Sequence, residues 1–279
     1  VIFGNGYDSP NQCASLFVLD ARTGDLVNWL PTTLSGDCTS PGQCNGLSDP
    51  LPVDVTGDAK VDYVYAGDLK GNLWKFDLTA VDSANWKVRY RDGFTPKPLF
   101  TAEGPNGEVQ PITIAPSIMK HPNAAMPGFM LMFGTGRYLN TADLDNTDGQ
   151  TIYGIWDYGD DEDEYLGSFA RGSTPQLTNQ PDTVTLLSQS QIFYQEVTFL
   201  TCPATDPGGD PVTVSTTDPT APEYAACTED HTSRLRVLSK NPVTWAVEDD
   251  DDTGQLPNPS ATEANNAGWY LDLYLSDTD

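Results

Sequence analysis

One unit recurs three times in this chain: apolar strand, glycine, loop, apolar strand, aspartate. Phe3-Gly-Asn-Gly-Tyr7 leads through a loop to Leu16-Phe-Val-Leu-Asp20. Tyr65-Ala-Gly-Asp68 leads through Leu-Lys-Gly-Asn to Leu73-Trp-Lys-Phe-Asp77. Phe133-Gly-Thr-Gly-Arg-Tyr138 leads through a longer loop to Ile152-Tyr-Gly-Ile-Trp-Asp157, and Gly268-Trp-Tyr-Leu-Asp272 repeats the closing half. A lone hairpin of this kind cannot bury its apolar side chains, whereas stacked copies can. The expected fold is all-β: a modified β-propeller, or a several-blade portion of one, with long irregular loops between strands.

The remaining sequence fits that frame. Gly 24 and Pro 22 in 279 residues suit a turn-rich chain, and no segment carries an amphipathic helical pattern. Asp20-Ala-Arg-Thr-Gly24 reads as a tight turn with Gly24 in the left-handed region. Residues 92–128 read as short strands broken by prolines, and 183–187, 192–200, 234–238 and 244–247 as further strands. Residues 31–52 and 248–266 read as loops, and 203–226 as a disordered or excursion loop. We expect one propeller domain, or a fragment of one, over 1–279, with a loop-rich insertion near 203–226. The chain opens on Val-Ile-Phe-Gly and closes near Trp-Tyr-Leu-Asp-Leu, both strand-like, so a slice of a longer precursor is expected, with any targeting signal outside it. No apolar run is long enough to span a bilayer.

The sharpest chemical signal is Asp54-Val-Thr-Gly-Asp58-Ala-Lys-Val-Asp62. Asp54, Thr56, Asp58 and Asp62 fall at loop positions 1, 3, 5 and 9, and the carbonyl of Lys60 at position 7. That spacing lets one loop wrap a hard cation such as Ca²⁺ in oxygens, which removes the repulsion among the carboxylates. Position 3 is Thr56 rather than Asp or Asn. Position 6 is Ala59, where a sharp turn favours glycine and a left-handed alanine costs on the order of 1 kcal/mol. Position 12 is Tyr65 rather than a bidentate glutamate, so Asp62 would close the shell.

Forty acidic against 14 basic residues give a net charge of −26. Such a field argues against nucleic acid and anionic membrane as partners and favours cations. A second acidic loop carries Asp143, Asp145 and Asp148 at less regular spacing, and the runs 160–164 and 248–252 read as solvated. His121 and His231 have no supporting ligand pattern. None of the five cysteines forms a CxxC pair, which argues against zinc and dithiol redox sites. Cys38 and Cys44 bracket a Pro-Gly turn, Cys202 and Cys227 bracket the insertion, and Cys13 is left over, either free or paired outside the chain. No nucleophile elbow, P-loop or dinucleotide fingerprint is present, and no catalytic residue is assigned.

Taken together, the opening Val-Ile-Phe-Gly-Asn-Gly-Tyr, the Leu-Phe-Val-Leu-Asp-Ala-Arg-Thr-Gly turn, the acidic loop with its Asp-Tyr-Val-Tyr-Ala-Gly-Asp hairpin, Phe-Gly-Thr-Gly-Arg-Tyr-Leu and Gly-Trp-Tyr-Leu-Asp-Leu resemble the C-terminal propeller of the PilY1/PilC family. These are type IV pilus tip-associated and biogenesis proteins. The resemblance is dense over 1–157, thin over 158–267, and returns at 268–273. It implies a non-enzymatic, Ca²⁺-binding propeller at the cell surface or pilus tip, exported through the periplasm. It also implies pilin or minor-pilin partners, and calcium control over pilus extension and retraction. The family's ligands map onto Asp54, Thr56, Asp58, Lys60 by its carbonyl, and Asp62. Surface adhesion would use regions outside this chain. Two other propeller classes stay open: quinoprotein dehydrogenases, whose calcium sits with a quinone on scattered ligands rather than one loop, and sugar-binding propellers.

Overall fold

The structure, a computed structural model, describes residues 1–7, 13–32, 45–104, 106–124, 126–139, 141–158, 167–168, 185–188, 193–205, 208–237, 243, 245 and 266–273. The acidic runs 160–164 and 248–252 and the Pro-Gly turn between Cys38 and Cys44 lie outside them. The chain divides into two compact units, Val1–Leu187 with Pro242–Asp279, and Ser188–Asn241.

In the larger unit each repeat forms part of an antiparallel sheet. Ile2–Gly4, Ser15–Leu19 and Leu26–Pro31 make the first. The second runs in the order Gly167–Ser168, Phe100–Thr101, Asn72–Asp77, Tyr63–Gly67, Leu51–Val53, with Lys87–Val88 also paired to Asn72–Asp77. Its one parallel pairing joins Phe100–Thr101 to Gly167–Ser168. The third runs Ser117–Lys120, Phe129–Gly134, Gln150–Asp157, Asn266–Leu273, Thr185–Ser188. The weak fourth copy at 268–272 is therefore a strand of the third sheet, paired with the closing strand of the third repeat. Helical structure among the described residues is limited to the short 3-10 turns Ser83–Asn85, Thr141–Asp145 and Pro222–Tyr224.

Successive side chains of a strand point to opposite faces, and the middle hairpin is apolar on both. Val64, Ala66, Trp74 and Phe76 pack with Leu16 and Leu30 of the first sheet. Tyr65 and Leu73 pack with Phe133, Tyr153, Ile155 and Trp156 of the third. The hairpin Tyr63–Asp77 is thus the central blade of a stack, buried on both sides, which accounts for its near-continuous apolar sequence. The repeat glycine matters here: a Cβ on Gly67 would lie 2.2 Å from Ile112 Cγ2.

The closing aspartates of the repeats become hydrogen-bond hubs, each in its own way. Asp20 accepts from the amides of Arg22 and Thr23 and so builds the expected turn, with Gly24 at φ +78°. Asp77 takes Thr79 and Arg89. Asp272 accepts from Thr151 Oγ1 at 2.9 Å. Asp157 is fully buried and takes Lys75 Nζ at 2.8 Å, the hydroxyl of Tyr65 at 2.5 Å and the hydroxyl of Tyr90. Lys75 Nζ also sits 4.6 Å over the Tyr63 ring. Burial, then the Asp157 charge, pushes the Tyr90 hydroxyl well above the ordinary tyrosine range.

The smaller unit corrects one expectation. The 203–226 stretch contains the strand Pro211–Thr216, which pairs with Phe193–Thr205, and the latter pairs also with Thr228–Val237. A disulfide joins Cys202 to Cys227 at the base of the excursion. The run Val212-Thr-Val-Ser-Thr216, rich in β-branched residues, carried that strand signal, beneath the flanking Pro and Asp. Cys13, expected either free or paired outside the chain, is disulfide-bonded.

Asp157→Ala leaves the Lys75 ammonium buried without its counter-ion. It should lower the unfolding free energy by about 3–5 kcal/mol in urea denaturation with disulfides intact. Gly67→Ala should cost about 1–3 kcal/mol in the same assay, because the new methyl group has no room beside Ile112.

Candidate metal centre

The acidic loop is the connection of a hairpin. Leu51–Val53 pairs antiparallel with Tyr63–Gly67, in the register Leu51↔Tyr65 and Val53↔Tyr63, and residues 54–62 join them. Sequence reasoning places 51–52 at the end of the Ser/Pro/Gly/Cys-rich loop 31–52. The strand lies at the sheet edge, where proline is tolerated.

The loop is wound around its own carboxylates. Asp54 accepts from the amides of Gly57 at 2.6 Å and Ala59 at 2.8 Å, and weakly from Thr56 Oγ1 at 3.4 Å. Asp62 Oδ2 accepts from the amides of Val55 at 2.8 Å and Thr56 at 3.0 Å. Gly57 has φ +76° and Ala59 φ +65°, the latter the only left-handed non-glycine among the described residues. The position that the spacing marks for glycine thus has the conformation glycine would supply. The hydrogen bond that the Ala59 amide donates to Asp54 offsets the cost of an alanine there.

The middle carboxylate is engaged elsewhere. Asp58 accepts from the backbone amide of Lys60 at 3.0 Å and from its ammonium at 2.7 Å. Those hydrogen bonds hold the Asp58 carboxyl below its usual range. They push Lys60 up, with the charges of Asp62 and Asp54 adding to the effect. The lysine ammonium is thus paired with Asp58 alone, and Asp54 and Asp62 reach it only through their charge. No group of three or more His, Cys, Asp or Glu side chains among the described residues is arranged to hold a metal ion. The oxygen-only donor set and the wound backbone suit a hard cation. The side-chain arrangement is that of a loop partly neutralised from within, and Asp58 would have to exchange Lys60 for the metal.

The other candidates resolve structurally. Asp143 is buried and takes Arg137 Nε and the Leu139 amide, both at 2.8 Å. His121 is buried, with its ring 4.9 Å from that of Trp156 and 4.4 Å from that of Trp245. His231 stacks on Phe199 and lies beside Asp230. Asp68, which sequence reasoning passed over, is completely buried. Its carboxylate accepts from Asn45, Asn72 and Trp74 side chains and from the amides of Lys70 and Asn72. The Gly-Asp-x-x-Gly-Asn-x-Trp pattern was its signal.

Comparison with known proteins agrees with this architecture. Residues 1–196 match the family model of the PilY1 β-propeller domain. The chain is 34% identical over 292 aligned positions to the type IV pilus biogenesis factor PilY1 of Pseudomonas aeruginosa strain PAO1, covering all of this chain and 20% of that protein. It is 42% identical over 163 positions to a PilY1 homolog of Xylella fastidiosa, covering 57% of this chain and 11% of that one. The chain therefore spans about a fifth or less of these relatives. The crystal structure of the Pseudomonas aeruginosa PilY1 C-terminal domain superposes with a TM-score of 0.64 at 28% identity, over 99% of this chain and 48% of that one. No helix among the described residues is long and apolar enough to cross a membrane. With its repeated hairpins, its stacked sheets and a family match over most of its length, this chain belongs to the PilY1 β-propeller family.

Proposed function

We propose that this chain is the calcium-responsive propeller of a type IV pilus biogenesis factor. In this reading it acts by binding and ordering rather than by catalysis. It works outside the cell at the pilus tip, reached through the periplasm, and meets pilin or minor pilins. It contributes to pilus assembly, to the balance of extension and retraction that drives twitching, and to adhesion through regions outside these residues. The relatives are named as pilus biogenesis factors rather than as enzymes, which supports the non-enzymatic reading.

The observation that carries the calcium assignment is the 54–62 loop, wound with Ala59 left-handed and seated on the central hairpin. Asp54, Thr56, Asp58, the Lys60 carbonyl and Asp62 would hold the ion. A bound divalent cation would supply to all three carboxylates the positive charge that Lys60 now gives to Asp58. The loop itself is exposed while the strand Tyr63–Gly67 that anchors it is largely buried, so ordering would begin at the surface and act on a rigid base.

Calorimetric titration with Ca²⁺ should give one site in the unaltered chain and none in Asp58→Ala. Equal binding in that variant would remove the loop from the assignment. The fold does not depend on this exposed carboxylate, so without calcium Asp58→Ala should unfold at the same urea midpoint as the parent.

A further inference from the structure

A cleft of about 260 Å³ lies between the strand Leu26–Pro31 and the segment that follows the central hairpin. Trp29, Trp86, Lys87 and Arg91 line it, together with Val88 and Pro96, which are buried. Its two sides are tied by the Asn28 side-chain amide, which donates to the Ser83 carbonyl. Both indoles are held in place. Trp29 packs on Phe17 at 6.4 Å, and Phe17 stacks on Phe3 at 5.6 Å, an aromatic row fixed by the cross-strand register. The Trp86 indole N–H donates to the Ala80 carbonyl at 2.9 Å, which leaves its ring carbons as the surface it offers.

The charge of this cleft runs against the rest of the chain. Four of the 14 basic residues, Lys87, Arg89, Arg91 and Lys97, fall within positions 87–97. Arg89 pairs with Asp77 at 3.2 Å, and Lys97 faces Asp92 at 3.9 Å. Arg91 forms no ion pair among the described residues. Its Nε donates to the Val88 carbonyl at 3.3 Å, which leaves the terminal nitrogens of the guanidinium for a ligand.

We propose that this cleft binds a carboxylate-bearing pyranose at the end of a glycan, a terminal uronic- or sialic-type sugar. Indole rings pack well against the C–H face of a sugar ring. A guanidinium takes a carboxylate through two parallel hydrogen bonds. The volume lies just below the usual range of small-ligand sites, which is room for one ring rather than a chain. A bare anion would make no use of two indoles, and a neutral sugar would leave Arg91 without an acceptor. A net charge of −26 repels an extended polyanion, so a single terminal acid is favoured over a repeating one. The site is independent of calcium.

The test is calorimetric titration of the 279-residue chain with glucuronate and sialyllactose, against glucose, lactose and acetate. The acidic sugars should bind at least about tenfold more tightly than the neutral sugars or acetate. Arg91→Gln and Trp29→Ala should each weaken them about tenfold or more, with unchanged far-ultraviolet circular dichroism. Asp58→Ala should leave this binding intact. The proposal is overturned by equal binding of acidic and neutral sugars, by acetate binding as well as the sugars, by full affinity in Arg91→Gln, or by no binding of any probe.

Discussion

The buried contact between Lys75 and Asp157 is the constraint on which the stack depends. The two side chains are 4% and 0% exposed, so neither charge is solvated. Desolvation of such a pair offsets much of its attraction unless further hydrogen bonds complete it, and here the hydroxyls of Tyr65 and Tyr90 do so. Tyr65 and Lys75 are register partners within the central hairpin, Tyr90 follows it, and Asp157 lies 92 positions beyond Tyr65. Apolar faces would tolerate several ways of sliding one sheet over another. This network is satisfied in one alignment only, and it brings the central hairpin to the third sheet.

That alignment also determines what the acidic loop can do. The loop is the exposed connection of the buried hairpin, so changes in its charge act on a fixed support. Its own lysine already balances part of the negative field. An exposed ion pair of this kind is weak because water and salt screen it, so a divalent cation with several oxygen ligands can displace it.

Much of this was legible in the sequence because it is local. The single strands of each repeat with their glycine and aspartate punctuation, the Asp20–Gly24 turn and the spacing of Asp54, Asp58 and Asp62 each act over fewer than about ten positions, where period and turn chemistry apply. Ala59 stood out as the residue out of place, and its left-handed conformation is observed. What stayed hidden depends on distant partners or on masking residues. The aspartates at 20, 77, 157 and 272 look alike in the repeat but meet different donors, because each faces a different neighbour. Pro52 concealed an edge strand, and the Pro- and Asp-rich flanks of 211–216 concealed another. The loop's oxygen spacing was readable, but the capture of Asp58 by Lys60 was not, since it turns on a side-chain rotamer.

Native-state hydrogen exchange, read amide by amide, tests most directly whether the Tyr63–Asp77 hairpin is the doubly buried centre of the stack. Amides of Tyr63–Gly67 and Asn72–Asp77 should be the slowest to exchange, well behind those of the edge strand Leu51–Val53 and of Leu26–Pro31. Exchange in the hairpin as fast as in those outer strands would contradict the central-blade architecture.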